Sequence, residues 1–285
     1  MQSIRYKVLL YLAPAALLLG VFLVYPVLNT IYLSFFDNRS NEFVGWAHYE
    51  FLFTNPQTIT VFRNNVLWLV LFTSATVVLG LLIAVLANQV RYEAIAKAII
   101  FVPMAVSFTA AAVIWRFMYI YQAPSFTQTG VMNALLTWLG FDPVAWISNT
   151  GVNNFALIAA GIWMWTGFAL VVVSAGLKGI PTEVIEAARI DGASERQIFW
   201  YVTLPMLRSV LLVVTITLII NSLKVFDLVY VMTFGNYDTD VLANRMFKEM
   251  FTFGNFGRAS AVAVVLLLAI VPVMALNIRR FRREQ

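Results

Sequence analysis

Gly179 to Pro205 reads G-I-P-T-E-V-I-E-A-A-R-I-D-G-A-S-E-R-Q-I-F-W-Y-V-T-L-P, and it is polar where both its neighbours are oily. Pro181 suits a helix entrance, where its missing N–H removes no hydrogen bond. Val184, Ile185 and Ala188 give the following helix one apolar face, while Glu186 and Arg189 carry charge. Asp191-Gly192 breaks that helix, glycine being the usual residue where the chain turns sharply. Ser194 followed by Gln197 is a capping-box pattern that starts a second short helix. Ile198, Phe199 and Val202 supply its apolar side before Leu204-Pro205. A helix–turn–helix of this kind is too polar to enter lipid and too apolar to float free. Two readings stay open on pattern alone: an amphipathic loop lying on lipid headgroups, or an element that docks into a partner's groove.

On either side of this loop lie runs suited to a bilayer. A helix needs about 20 mainly apolar residues to span the hydrocarbon core. Six stretches qualify, roughly Val8–Phe36, Asn65–Ala87, Ala98–Tyr121, Asn154–Leu177, Ser209–Met232 and Ala259–Ile278. Arg5 and Lys7 precede the first, but its apolar run is longer than the roughly 7–15 residues of a signal peptide, so a retained helix is expected. Pro14 and Pro26 are expected to kink it, as membrane bundles allow. Over the whole chain 61% of residues are hydrophobic and 12% charged. A soluble domain carries roughly a quarter charged residues, so lipid is the natural solvent here. The expected fold is therefore an all-α integral membrane protein, residues 1–285 forming one transmembrane domain.

Orientation follows the distribution of Lys and Arg. With the N-terminus inside, twelve of the 19 fall on the cytoplasmic side and five on the other, Arg116 and Lys224 lying within spans. Both termini are expected in the cytoplasm, with the Arg279-Arg280-Phe281-Arg282-Arg283 run as an inner anchor beside anionic lipid. The outer stretches carry Gly45-Trp46, Tyr49 and Trp138, amphipathic aromatics suited to the membrane surface.

Several function classes are disfavoured by composition. The net charge of +5 is small and localised, unlike the basic stripe of a nucleic-acid binder. Cysteine is absent, and His48 is the sole histidine, so no disulfide, thiolate or histidine-based metal cluster is expected. No G-x-x-x-x-G-K-[ST] phosphate loop occurs, so any nucleotide-driven work needs an ATPase on another polypeptide. An intramembrane enzyme would need a nucleophile–base set. A stand-alone ion-coupled carrier would want several buried acids and inverted repeats, whereas Asp227 is the one clear acid within a span.

Ionisable residues inside spans are functional candidates by default. Lys224 and Asp227, three apart in the fifth stretch, are read as sharing a helix face, either as a self-neutralising pair or as part of a solute path. Asn221 and Ser222 lie beside them. In the fourth stretch Trp163, Trp165 and Thr166, beside Gly167, offer aromatic faces and a hydroxyl, the chemistry that suits sugars, although packing or surface anchoring is the commoner use of such tryptophans. Arg116 is read as snorkelling from the outer end of the third stretch, and Asn64-Asn65 as capping the second.

Glu186-Ala187-Ala188, Asp191-Gly192-Ala193, Phe199 and Leu204-Pro205 match the E-A-A–x(2)–D-G-A–x(5)–F–x(4)–L-P signature of permease subunits of ABC importers, and the chain resembles that family over most of its length. Tyr11–Pro26, Phe43-Val44-Gly45-Trp46 with Tyr49, Trp115–Met118, Gly130–Asn133 and Phe226-Asp227 through Thr233 resemble the maltose and glycerol-phosphate permease type. After Thr233 the chain departs, with Phe234-Gly235-Asn236 where that group has glycines and a proline.

The resemblance implies a pore subunit without ATPase activity of its own, in a bacterial-type cytoplasmic (inner) membrane. It implies a second permease of similar fold, two ATP-binding subunits that hold ATP and Mg, and a periplasmic or lipid-anchored solute-binding protein. It makes the polar loop a coupling helix, with Glu186, Ala187, Ala188, Asp191, Gly192, Ala193 and Ser194 as contacts to the ATPase. It favours Trp165, Thr166, Gly167, Ser222 and Lys224 along the path, with Asn221 and Asp227 kept beside them as candidates from their position. An oligosaccharide or glucoside-like compatible solute is the expected cargo, and glycerol phosphate the alternative.

Overall fold

The computed structural model describes residues 2–281, with side chains over 11–275, so Arg282 and Arg283 of the basic run lie outside the described residues. Regular structure among them is helical, apart from an isolated antiparallel bridge between Phe36 and Phe43. Helix α1 runs over Gln2–Leu19, widens into a π turn at Gly20–Val24 and continues through Tyr25–Leu33. A short α2, Ala47–Thr54, precedes α3, which spans Pro56–Ala87 with a π turn at Trp68–Phe72. Then follow α4 (Glu93–Ala105), α5 (Phe108–Met118), α6 (Val131–Trp138) and α7 (Asn153–Lys178). The polar loop forms α8 (Thr182–Ile190) and α9 (Glu195–Met206). The chain ends with α10 (Arg208–Leu223), α11 (Asp227–Met232), α12 (Leu242–Phe247) and α13 (Phe256–Phe281).

Four of these helices are long and apolar enough to cross a membrane unbroken: α1 from Tyr11, α3, α7 and α13 to Ala275. The third and fifth expected stretches are not single helices. The third is α4 and α5, bent by 99° at Val106-Ser107. Ser107 restarts the helix there by accepting a hydrogen bond from the Ala110 N–H at 3.2 Å. The fifth, read as Ser209–Met232, stops at Leu223. Lys224 leaves helical geometry at φ −104°, ψ 21° and Phe226 at φ −138°, ψ −63°, before α11 begins at Asp227. Lys224 and Asp227 therefore do not share a helix face, and among the described residues no ion pair joins them.

The residue contacts divide the chain into two units. One comprises the described residues up to Ile59 with Arg245–Ala269. In it the His48 Nε2 lies 2.7 Å from the Phe36 carbonyl oxygen, and the Ser34 hydroxyl 2.7 Å from that of Tyr49. Fully buried Glu249 accepts from Arg245 at 2.5 Å, while the Arg258 guanidinium stacks 3.8 Å from the centre of the Phe51 ring.

The second unit comprises Thr60–Asn244 with the described residues from Ile270 onward. Its centre is α7, packed along α3 through small residues. A Cβ on Gly80 would stand 2.4 Å from the Ala169 Cβ, and one on Gly167 would stand 2.6 Å from the Ile100 carbonyl of α4. Such contacts let backbones approach closely where burial of apolar surface supplies little drive, because lipid is as apolar as the core.

Asn64 and Asn65 do not cap a helix end. They lie within α3 and reach a distant segment: Asn64 Nδ2 donates to the carbonyls of Asp238 (2.7 Å) and Asp240 (2.9 Å). Asn65 Nδ2 donates to the Leu223 carbonyl at 3.2 Å, and its Oδ1 accepts from the Leu242 N–H at 2.7 Å. Asn153, at the start of α7, adds a 2.7 Å bond to the Tyr237 carbonyl. The segment so held carries four left-handed residues, Phe234, Gly235, Tyr237 and Asp238. This is the shape taken where the sequence departs from the glycine–proline pattern.

Candidate solute path and coupling loop

The break between α10 and α11 opens onto a cavity of about 300 Å³ in the second unit. Trp68, Phe72, Phe108 and Phe226 give it aromatic walls, and Gly161 and Trp165 of α7 form another side. Asn221, Ser222, Lys224 and Asp227 line it with polar groups. Phe108 is the first residue after the bend in the third stretch, so two helix breaks meet here. Phe108 and Trp165 stack at 6.0 Å and 27°.

Of the residues singled out from sequence, five line this cavity: Trp165, Asn221, Ser222, Lys224 and Asp227. Thr166 and Gly167 do not. The Thr166 hydroxyl donates back to the Ile162 carbonyl at 2.7 Å, and Gly167 is occupied by its contact with α4. Trp163 packs edge-on against Trp115 at 5.7 Å. Arg116 reaches the Val231 carbonyl on α11 at 3.4 Å rather than standing free. Asn221 turns its Nδ2 onto the Thr217 carbonyl at 2.8 Å, leaving its Oδ1 as an acceptor. Sequence reasoning missed Trp68, Phe72, Phe108 and Gly161. Their helical spacing reads as ordinary packing, and only the two breaks bring them to one wall. Trp68 carries an indole N–H that is buried without a hydrogen-bond partner.

The second candidate region is the polar loop. Helix α8 ends in a Schellman motif: the Gly192 N–H donates to the Arg189 carbonyl at 3.0 Å and the Ala193 N–H to the Ala188 carbonyl at 3.0 Å. Gly192 sits at φ +81°, a conformation that L side chains resist. A Cβ there would meet nothing within 4 Å, so the turn demands glycine through its backbone angle and not through crowding. Ser194 and Gln197 form the capping box, the Ser194 N–H donating to the Gln197 Oε1 at 2.8 Å.

One contact was not foreseen. Arg189 of α8 grips Glu195 of α9 with two bonds, Nε to Oε1 at 2.7 Å and Nη2 to Oε2 at 3.3 Å. The Glu195 carboxylate raises the Arg189 guanidinium above its ordinary value, through the hydrogen bond and the attraction of its negative charge. A two-point fork fixes the angle between the short helices as a single bond would not. Glu186, Ala187, Asp191, Gly192 and Ser194 are exposed on this clamp, Ala188 and Ala193 half-buried, and the neighbouring Ile190 is 86% exposed. A second cavity, of about 440 Å³, lies behind the loop, between Val85, Asn88 and Leu177 on one side and Ile185, Ile198 and Phe199 on the other.

Comparison with known proteins agrees with this architecture. Residues 76–281 match the family described as "Binding-protein-dependent transport system inner membrane component". The chain is 58% identical over 276 residues to the osmoprotective compounds uptake permease protein GgtC of Synechocystis sp., covering 97% of this chain and 99% of the relative. It is 45% identical to the alpha-glucoside transport system permease protein AglF of Rhizobium meliloti, covering 96% and 82%. A chain of a bacterial ABC transporter that imports the acidic polysaccharide alginate has the same fold, with TM-score 0.80 at 24% identity and 98% of each chain covered. With its apolar helices and its exposed E-A-A–D-G-A loop, this chain belongs to the family of inner membrane components of binding-protein-dependent ABC transport systems.

Proposed function

We propose that this permease forms half of the translocation pathway of an ATP-driven importer for a sugar-like solute, an oligosaccharide or a glucoside-like compatible solute. The bent pair α4–α5 counts as one span and α10 with α11 as another, giving six spans with both termini in the cytoplasm and the α8–α9 loop on the same side. A second permease of similar fold completes the pathway. Two ATP-binding subunits hold ATP and Mg and receive the loop, and a solute-binding protein delivers the cargo from outside. Binding protein and nucleotide each favour one of two global states, and the difference in their affinities drives the exchange.

The observation that carries this reading is that α7 runs unbroken from the cavity wall at Gly161 and Trp165 to Lys178, one residue before the loop. Interrupted helices in transporters free backbone groups where they line a solute site. Here both interruptions open on the same cavity. Its aromatic faces suit the C–H faces of a sugar ring and its amide and hydroxyl suit the ring's hydroxyl groups. Lys224 and Asp227 bring opposite charges to one wall, which supports a neutral solute over glycerol phosphate. The names of the relatives, osmoprotective compounds and alpha-glucosides, point the same way.

The test is to co-express the chain with its partner permease and ATP-binding subunits and measure hydrolysis in lipid, with binding proteins loaded in turn with neutral glucosides or with glycerol phosphate. Retention of the ATPase by the wild type, its loss in Gly192→Arg, and stimulation by a neutral glucoside are expected. An ATPase that is never retained, or a Gly192→Arg variant that behaves as wild type, would falsify the coupling assignment. Stimulation by glycerol phosphate alone would overturn the solute class.

A further inference from the structure

Where α3, α4 and α7 come together near the polar loop, five side chains form one closed network. The Lys97 ammonium donates to Asn88 Oδ1 at 2.6 Å, to Glu93 and to Ser174 Oγ. These three bonds use all three of its donors. Ser174, 3% exposed, passes its own proton to Asn88 Oδ1 at 2.7 Å. Lys178, the last residue of α7, closes the set on Glu93 at 2.7 Å. Asn88 caps α3, Glu93 opens α4, and Ser174 and Lys178 belong to the last turns of α7. A single ammonium thus ties the ends of three helices, and its side chain is only 16% exposed.

We propose that Lys97 is the positioning residue that makes α4 and α7 one rigid lever between the coupling loop and the solute cavity. The inference rests on the coupling reading above. The two helices touch at a second place, where Gly167 lies against the Ile100 carbonyl. Gly167 and Ser174 are seven residues apart, about 10 Å along the axis. One contact lets two helices pivot about each other, whereas two contacts that far apart fix their angle. Two residues beyond Gly167, Trp165 of α7 stacks on Phe108, the first residue of α5 across the bend from α4, so the pair reaches the cavity wall. Trp165 is about 20 Å along α7 from Lys178, where the chain enters the loop. A push on α8 is received at Lys178. With the network intact it moves both aromatic walls together. Without it α7 turns about the Gly167 contact, and the motion is spent before it reaches Phe108.

The experiment uses the whole transporter in proteoliposomes and reads three quantities: assembled complex, basal ATP hydrolysis, and solute moved per ATP. Lys97→Met is expected to assemble and hydrolyse ATP at the basal rate, while solute moved per ATP falls at least about fivefold, the lower end of ordinary coupling between sites. Lys97→Arg, which keeps charge and donors, is expected to recover most of that loss. Ser174→Ala removes one acceptor without changing charge and is expected to give a smaller fall in the same ratio. It also carries the test if Lys97→Met does not assemble. A merely structural role lowers the yield of complex and leaves the ratio unchanged in what assembles. An unchanged ratio in Lys97→Met, or in Ser174→Ala where Lys97→Met fails to assemble, overturns the proposal. Gly192→Arg in parallel separates the two readings. If that variant keeps a working ATPase contact, the coupling assignment fails and the lever falls with it. If it loses the contact while Lys97→Met keeps its ratio, only the lever is wrong.

Discussion

At Asn65 one amide serves two segments far away in the chain. It donates to the last carbonyl of α10 and accepts from the N–H of Leu242. A helix that stops inside an apolar environment leaves carbonyls without partners, and each unsatisfied group is costly there. Asn65 offsets part of that cost at the break beside the cavity. Asn65→Leu keeps size and adds hydrophobicity, yet it is expected to destabilise the protein by about 1–3 kcal/mol through the groups it strands. A lower unfolding temperature in detergent than for Val66→Leu, a change at an exposed neighbour on the same helix, checks this. Gly192 makes the opposite case, since its requirement is entirely its own backbone angle. Gly192→Ala is expected to cost roughly 1–2 kcal/mol locally. Faster proteolysis within the loop, with the global unfolding temperature unchanged, is the readout.

At the scale of elements, the α8–α9 loop owes its shape to local chemistry. The Schellman turn, the capping box and the Arg189–Glu195 fork lie within ten residues of one another. The fork is solvent-exposed, and exposed ion pairs contribute little to stability. Its work is geometric. Glu195→Gln is therefore expected to leave the unfolding temperature nearly unchanged while weakening retention of the ATPase. A large fall in unfolding temperature would show instead that the pair holds the fold. Helices α4 and α5 differ in kind. Pro103 and the Ser107 cap mark where the chain bends. The 99° angle is held by tertiary packing, including the Arg116 bond to the Val231 carbonyl.

Across the molecule, small residues decide how closely helices approach. Gly80 against Ala169 and Gly167 against Ile100 leave no room for a methyl group. Gly80→Val and Gly167→Val are each expected to push helices apart and sharply lower the yield of assembled transporter. Gly20→Val is the control, because a Cβ at Gly20 meets nothing within 4 Å. Equal yields for all three would refute close packing as the organising contact of the second unit. The same argument bears on the cavity, because Gly161 gives Trp68 its place: a Cβ there would stand 2.9 Å from the indole ring.

What the sequence determined by itself is what depends on near neighbours and on solvent. Its apolar runs require a membrane, and the run from Pro181 to Gln197 specifies two capped helices with a glycine turn between them, because each partner lies within a few residues. Even the E-A-A–D-G-A signature is a local pattern. The breaks were another matter. No glycine or proline stands at Lys224-Val225-Phe226, so hydrophobic periodicity carried a helix straight across it to Met232. The stop became possible because Asn65, 158 residues away, accepts the role of partner to the Leu223 carbonyl. The tertiary structure likewise decided that Thr166 bonds back to its own helix and Gly167 packs against α4, while Phe108 and Trp68 line the cavity. The physical reason is common to both: in an apolar solvent a helix continues unless something distant satisfies its freed backbone groups, and no short stretch of sequence contains that partner.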